Sequence, residues 1–271
     1  MPPPPTHGGM PDPASVAAAA AAADGFATRA FRRIRPGFER IAPGPHPLRH
    51  AHLAPYAAIV LAGGYRQAGY FGRVELEAGD ILVHPVLDRH ENHPLGGAGV
   101  HLLRLPWGET ADFGGIFRSS QVDLAIRLAA RDPCEAAALL AEDLAGRGPE
   151  PAPERDWPDL LARDLREGRA PSLTAWAQAQ GLRRETVARG FRRAYGAAPR
   201  AVAAELKARR AWLRVLADAT PLAFVAADLG FADQPHMTHA IHALTGAPPS
   251  VWRRHRDRAG RAPDGPDARS K

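Results

Sequence analysis

Two groups of residues in this 271-residue chain have types and spacings that could do chemistry. The first is a set of histidines. His50 and His52 alternate by two, so on a strand both imidazoles leave the same face. His90, arriving on a facing strand, would complete a three-nitrogen set, with Tyr56 or a water at an open position. Two readings stay open: the imidazoles hold a divalent metal, or they line a pocket for a small effector. His84 reads as a flank of that site, His93 before Pro94 as a loop residue, and His46, His101 and Asp88 as ordinary surface or turn residues. Arg49 and Arg104 could meet an anionic effector, though arginines near strand ends are more often at the surface.

The second group is basic and helical. Around Arg183–Arg193 lie Arg183, Arg184, Arg189, Arg192 and Arg193, with Glu185, Thr186 and Ala188 among them. Charge is shared unevenly along the chain. Residues 1–155 hold 15 Lys+Arg against 17 Asp+Glu, whereas residues 156–261 hold 18 against 10. A basic surplus confined to one helical region is the footprint of a nucleic-acid binder.

The elements that position this basic group are written twice. Leu173, Trp176, Ala177 and Gly181 recur as Leu222, Val225, Ala226 and Gly230, displaced by 49. Val187, Phe191, Gly196 and Pro199 recur as Met237, Ile241, Gly246 and Pro249, displaced by 50. Within each unit, apolar residues three and four apart mark one helical face and a glycine ends the helix. Ser172 is the N-cap of the first copy, and a second helix follows the turn at once. Helix, tight turn and helix is the device that enters a major groove.

The runs from Ser172 to Pro199 and from Pro221 to Arg254 resemble the DNA-binding domain of AraC/XylS-type transcription regulators, most tellingly at Gly230-Phe231 and from Gly246 to Trp252. Pro235, His239 and Ile241 depart from the small polar, basic and Phe residues usual there. By position in that motif and by helical phase, Glu185, Thr186, Ala188 and Arg189 face the groove in the first unit, with Val187, Gly190 and Phe191 inward. Gln234, His236, Thr238 and His239 take the matching positions in the second. Arg189 suits a guanine edge, Glu185 a cytosine amine or a plain helix-start role, and Gln234 an adenine. Arg183, Arg184, Arg192 and Arg193 suit phosphates. The helix expected from Arg200 to Ala217 would span about 27 Å, a strut able to serve successive major-groove segments.

Upstream, short β-rich runs (Ala57 to Leu61, Phe71 to Leu76, Ile81 to Val83, Val100 to Leu105) are separated by Gly63-Gly64, Ala78-Gly79-Asp80 and Gly96-Gly97. They predict a small antiparallel barrel or sandwich. Gly44, His50 and His52, position 56 and Gly63 are spaced like the first cupin motif, with Tyr56 where that family has Glu. Gly79, Pro85 and His90 are spaced like the second, with Leu87 where Gly is usual. Residues 40–105 therefore resemble a degenerate cupin, which is how many AraC-type regulators begin.

The expected architecture is α+β and two-domain: a disordered leader (1–25), a small cupin-like β-barrel effector domain (26–118), a helical connector (119–147), a linker (148–156), an all-α DNA-binding domain with two helix-turn-helix units joined by a long helix (157–256), and a disordered tail (257–271). Within the first domain, residues 106–118 read as a Gly-containing connection. In the connector, Asp132 caps a helix that Pro133 opens, after an earlier one carrying Val122, Ile126 and Ala129 with Leu124 and Leu128 beside them. Such helices either pair two subunits or pack back on their own barrel. Met10 offers an alternative start, and the leader lacks the basic head and bulky apolar middle of a signal peptide. One cysteine, Cys134, excludes an internal disulfide and fits the cytoplasm, and no apolar run is long enough to span a bilayer.

The function expected is a sequence-specific DNA-binding regulator, not an enzyme. Its partners would be double-stranded DNA, a small-molecule effector and, as the resemblance implies, a second subunit and RNA polymerase. A metal-dependent cupin enzyme with a DNA-binding appendage, or a non-specific architectural DNA binder, are the alternatives.

Overall fold

The computed structural model describes residues 35–43, 49–108, 114–152, 154–169 and 172–259. The leader, Gly44 and His46, and the chain beyond residue 259 lie outside them. The described residues fall into two compact units that divide between Leu206 and Lys207.

Among its described residues the first unit opens with nine strands: β1 (Gly37–Ile41), β2 (His50–Ala51), β3 (Tyr56–Ala62), β4 (Gly64–Gly69), β5 (Gly72–Glu77), β6 (Ile81–His84), β7 (Arg89–Leu95), β8 (Val100–Pro106) and β9 (Gly115–Phe117). They form two antiparallel sheets, ordered β1-β8-β3-β6-β9 and β2-β7-β4-β5. Inward residues of both sheets, Val60, Tyr65, Val74, Leu76, Leu82, Val100 and Leu102, make one buried cluster. The opposite side of the five-stranded sheet is apolar as well: Ile59, Ile81, Val83, Leu103 and Leu105 pack with Ala125, Ala136, Leu140 and Leu144 of two helices. Those helices are α1 (Val122–Ala129) and α2 (Pro133–Leu144). Of the two fates open to them, the structure shows packing on their own sheet. Asp132 caps α2 as expected, accepting from the N–H groups of Cys134 and Glu135 at 2.7 and 3.2 Å.

Two local expectations need correcting. Residues 106–118 hold β9, whose Ile81↔Phe117 pairing extends the larger sheet. In α1 the innermost residues are Ala125 and Ala129, while Leu124 is 38 % exposed. Small side chains let the helix approach α2 and the sheet closely, and the bulkier leucine then has no room inward. Glu150 bridges to Ile116, and the next helix is tied back onto the four-stranded sheet.

That helix, α3 (Trp157–Arg166), is followed by α4 (Leu173–Ala179), α5 (Arg184–Tyr195) and α6 (Pro199–Ala217). Leu161, Trp176, Ala177, Val187, Phe191, Tyr195 and Val202 share a core that also takes in Ala68 of β4. Polar links reinforce it. Asp159 accepts from Arg73 of β5 at 2.8 and 3.0 Å, from the Tyr195 hydroxyl at 2.7 Å and from the Arg155 N–H at 3.0 Å. Glu205 of α6 is paired with Arg49 at 3.0 Å and with Arg89 at 3.2 Å.

The second unit contains the end of α6, then α7 (Leu222–Asp228), α8 (Gln234–Thr245) and α9 (Pro249–Ala259). Its buried residues include Trp212, Val225, Ala226, Met237, Ile241 and Trp252. Trp212 and Trp252 meet edge to face with centroids 5.5 Å apart, and the Trp252 indole donates to Thr245 Oγ1 at 2.8 Å. Lys207 lies over the Phe231 ring at 4.3 Å and donates to the Gly230 carbonyl, fastening the turn.

Candidate functional site

The DNA-reading candidates rest on the repeated turns. Gly181 and Gly230 both have left-handed backbones, φ 65° and 70°. The same closing bond follows each: Leu182 N–H to Ala177 O and Phe231 N–H to Ala226 O, both 2.8 Å. Ser172 caps α4 through Ala175 N–H at 3.1 Å. Asp233, which sequence reasoning passed over, caps α8 through His236 N–H at 2.7 Å. An Asp just before Gln-Pro at a helix start was the available signal.

The inward and outward faces divide as the repeat implies. Val187, Phe191, Met237 and Ile241 are fully buried. Gly190 faces inward too, because a Cβ there would lie 2.5 Å from the Trp157 indole. Arg183, Arg184, Glu185, Thr186, Arg189, Arg192 and Arg193 are exposed, and Ala188 is partly so. On α8, Gln234, His236 and His239 are exposed and Thr238 partly so. Together with its N-cap Arg183, α5 thus presents five exposed guanidinium groups and a single carboxylate.

The histidine site assembles from different elements. β2 pairs with β7 in the register His50↔His90 and Ala51↔Arg89. Ring centroids of His50 lie 5.0 Å from His52 and 4.6 Å from His90. Ligand nitrogens of His50, His52 and His90 all fall within 4.8 Å of one another. Tyr56, where a cupin has Glu, stacks on His84 at 4.2 Å and meets His52 edge-on at 5.0 Å. Burial pushes its hydroxyl pKa well above the usual value, against the pull of Arg104.

His84 and Asp88, expected to be peripheral, are both buried within this cluster. His84 Nδ1 lies 2.9 Å from Asp88 Oδ2. The turn between β6 and β7 folds them together, a juxtaposition that a four-residue spacing in a loop does not advertise. Burial drives the His84 pKa down to about 4, with the Asp88 carboxylate opposing. Burial opposes the charge on Asp88, yet hydrogen bonds from His84 and His90 outweigh it and hold the carboxyl well below its usual range. His93 is likewise not in a loop: it stands exposed on β7, 2.5 Å from Glu91. Arg49 and Arg104 are mostly buried, paired with Glu205 and Glu39 respectively, so neither is a loose surface cation. His101 is exposed, as expected.

The donor set fits a metal. His90 Nε2 is buried and has no hydrogen-bond partner among the described residues. Three imidazole nitrogens within reach of one point suit a borderline divalent ion.

The fold is thus a β domain of two antiparallel sheets ahead of a helical region that carries two helix-turn-helix units. Residues 176–255 match the model of a helix-turn-helix domain, and this stretch is of the AraC type. Among solved structures, ToxT from Vibrio cholerae aligns over 81 % of this chain and 98 % of its own, at 9 % identity and TM-score 0.36. A variant of the oxalate decarboxylase OxdC from Bacillus subtilis aligns over 44 % of this chain and 38 % of its own, at 19 % identity and TM-score 0.23. PhpD with cadmium atoms aligns over 81 % and 44 %, at 16 % identity and TM-score 0.23. No curated protein sequence matches the chain. Among the described residues no helix is long and apolar enough to cross a membrane.

Proposed function

We propose that this chain is a sequence-specific transcription regulator acting in the cytosol, in which the β domain senses a small effector and α5 and α8 read DNA. The observation that carries the reading is the sidedness of α5: fully buried Val187 and Phe191 on one face, and exposed Glu185, Thr186 and Arg189 on the other. Arg189 is assigned to a guanine edge, Gln234 to an adenine, and Arg183, Arg184, Arg192 and Arg193 to phosphates. His236, Thr238 and His239 complete the second reading face.

Sensing is assigned to the cluster of His50, His52, Tyr56 and His90. A divalent metal held by the three histidines would supply a Lewis-acidic anchor for an oxygen-bearing effector. The effector would bind one arrangement of the β domain better than another, and that difference in affinity would bias DNA binding.

The test is selection of bound sequences from random DNA by the full chain, followed by affinity measurements on the winners. A preferred site that Arg189→Ala loses supports the reading. Equal binding of all sequences at ordinary salt would reject it in favour of an architectural binder. The imidazole cluster also supports a second reading, a metal-dependent cupin enzyme with a DNA-binding appendage. A metal-free protein after purification from metal-supplemented cells removes that alternative.

A further inference from the structure

Behind His90 stands a carboxylate with no counterpart in the expected ligand set. Asp88 Oδ2 lies 3.3 Å from His90 Nδ1, and the Asp88 carbonyl oxygen lies 3.2 Å from the same nitrogen. Asp88 Oδ1 accepts from the Tyr70 N–H at 3.1 Å, which holds the carboxylate in place. Both groups facing His90 Nδ1 are acceptors, so that nitrogen carries the hydrogen, and in the neutral ring Nε2 keeps the lone pair.

The backbone around Asp88 is shaped for this. Leu87 has φ 59°, the one positive value at a non-glycine residue among the described residues. Its N–H donates to the His52 carbonyl at 3.0 Å, tying the turn to the other histidine strand. A left-handed Leu is strained and persists only where its surroundings impose it. On the far side, Gly69 leaves space that any side chain would take. A Cβ there would fall 2.8 Å from His90 Cβ and 3.2 Å from Asp88 Oδ1. A strained turn on one side and a bare glycine on the other set one carboxylate against one imidazole.

We infer that Asp88 is a positioning residue for a borderline divalent ion held by His50, His52 and His90, turning the His90 Nε2 lone pair toward the other two rings and adding negative charge behind it. The inference rests on the metal reading proposed above. A metal-ligating imidazole usually donates its second N–H to a carboxylate or carbonyl, which fixes the ring and strengthens the ligand. Here His90 has both acceptors, and its other nitrogen is buried with no hydrogen-bond partner among the described residues. The carboxylate also offers, one layer back, the charge that a neutral Tyr56 does not supply in front.

The test uses the full chain, stripped with a chelator and titrated with cobalt(II). The wild type should take one ion per chain and develop visible ligand-field bands. Asp88→Asn, which keeps an acceptor for Nδ1–H but not the charge, should weaken cobalt binding about tenfold. Asp88→Ala, which loses the side-chain acceptor too, should approach a hundredfold loss and shift the bands. A merely structural aspartate would lower the melting temperature and leave band positions alone. Folded variants that bind cobalt as tightly as wild type, with unchanged bands, would overturn the role of Asp88. Wild type that binds no cobalt would instead overturn the metal reading. Should the variants not fold, nitrogen-15 NMR of the zinc-loaded wild type decides: a proton on His90 Nδ1 supports the assignment, and a bare Nδ1 overturns it.

Discussion

Consider Asp159→Ala. The carboxylate is 5 % exposed and receives four hydrogen bonds: two from Arg73, one from the Tyr195 hydroxyl and one from the Arg155 N–H. Removal leaves the Tyr195 hydroxyl, on a residue 1 % exposed, without its acceptor. Arg73, with its side chain 17 % exposed, keeps only the more exposed Asp156. Breaking a buried pair from one side costs about 3–5 kcal/mol. Because Arg73 retains Asp156 and some access to water, the lower end applies, about 3 kcal/mol. For a unit of this size that is a fall in melting temperature of roughly 6–12 °C. Arg73→Ala should cost a similar amount, and the double variant little more than either, giving a coupling of about 1–3 kcal/mol. The pH dependence has a definite sign. Burial opposes ionisation of Asp159, but Arg73, Tyr195 and the Arg155 N–H outweigh it and lower its pKa. Its contribution is therefore complete above the usual carboxylate range and is lost as pH falls through the lowered value. Calorimetry of the four proteins at pH 7 and pH 4 checks all three points. A loss below 1 kcal/mol at neutral pH, or a coupling near zero, would refute the claim that this network holds α3 and α5 on the sheet.

Other outcomes follow from the same structure. Arg189→Ala should cost about 1–3 kcal/mol at the selected DNA site and little on random DNA, whereas Arg193→Ala should weaken both and lower the salt slope by about one, as read by fluorescence anisotropy. Gly190→Ala gains about 1 kcal/mol of helix propensity but drives a methyl to 2.5 Å from Trp157. Overpacking of this kind costs about 1–3 kcal/mol, so the melting temperature should fall. His84 is held neutral by burial, with a pKa of about 4. The unfolded chain binds a proton first, so stability should drop as pH falls from about 6.5 toward 4, and His84→Gln should flatten that slope in pH-dependent urea melts.

The helical half was legible because its message is local. Val187, Phe191, Met237 and Ile241 sit at helical spacing, each copy closes on a glycine, and the structure buries all four and gives Gly181 and Gly230 the left-handed turn. The β half was read in part. β3, β6 and β8 are apolar runs and stand out, but β7 reads Arg-His-Glu-Asn-His-Pro-Leu and looks like a loop. Its inward side meets imidazoles rather than an apolar core, so alternation of hydrophobicity is absent. β2 is only two residues long and has no period to detect. The place of His84 and Asp88 depends on a turn with a left-handed leucine, a conformation that residue type argues against. The attachment of α3 and α5 to the sheet is non-local, made by Arg73 and Ala68 against residues 86 or more positions away.

The register of β2 against β7 has one more consequence. Side chains along a strand alternate, so where His50 and His90 point into the cluster, their neighbours Arg49 and Arg89 leave on the other side. There both guanidinium groups grip the same carboxylate, that of Glu205. An occupant that drew the two imidazoles together would tug the arginines by the same backbone, and the helix bearing Glu205 starts four residues after Tyr195 closes α5. One short hydrogen-bonded ladder thus carries the imidazoles on one side and, on the other, the two arginines that hold Glu205.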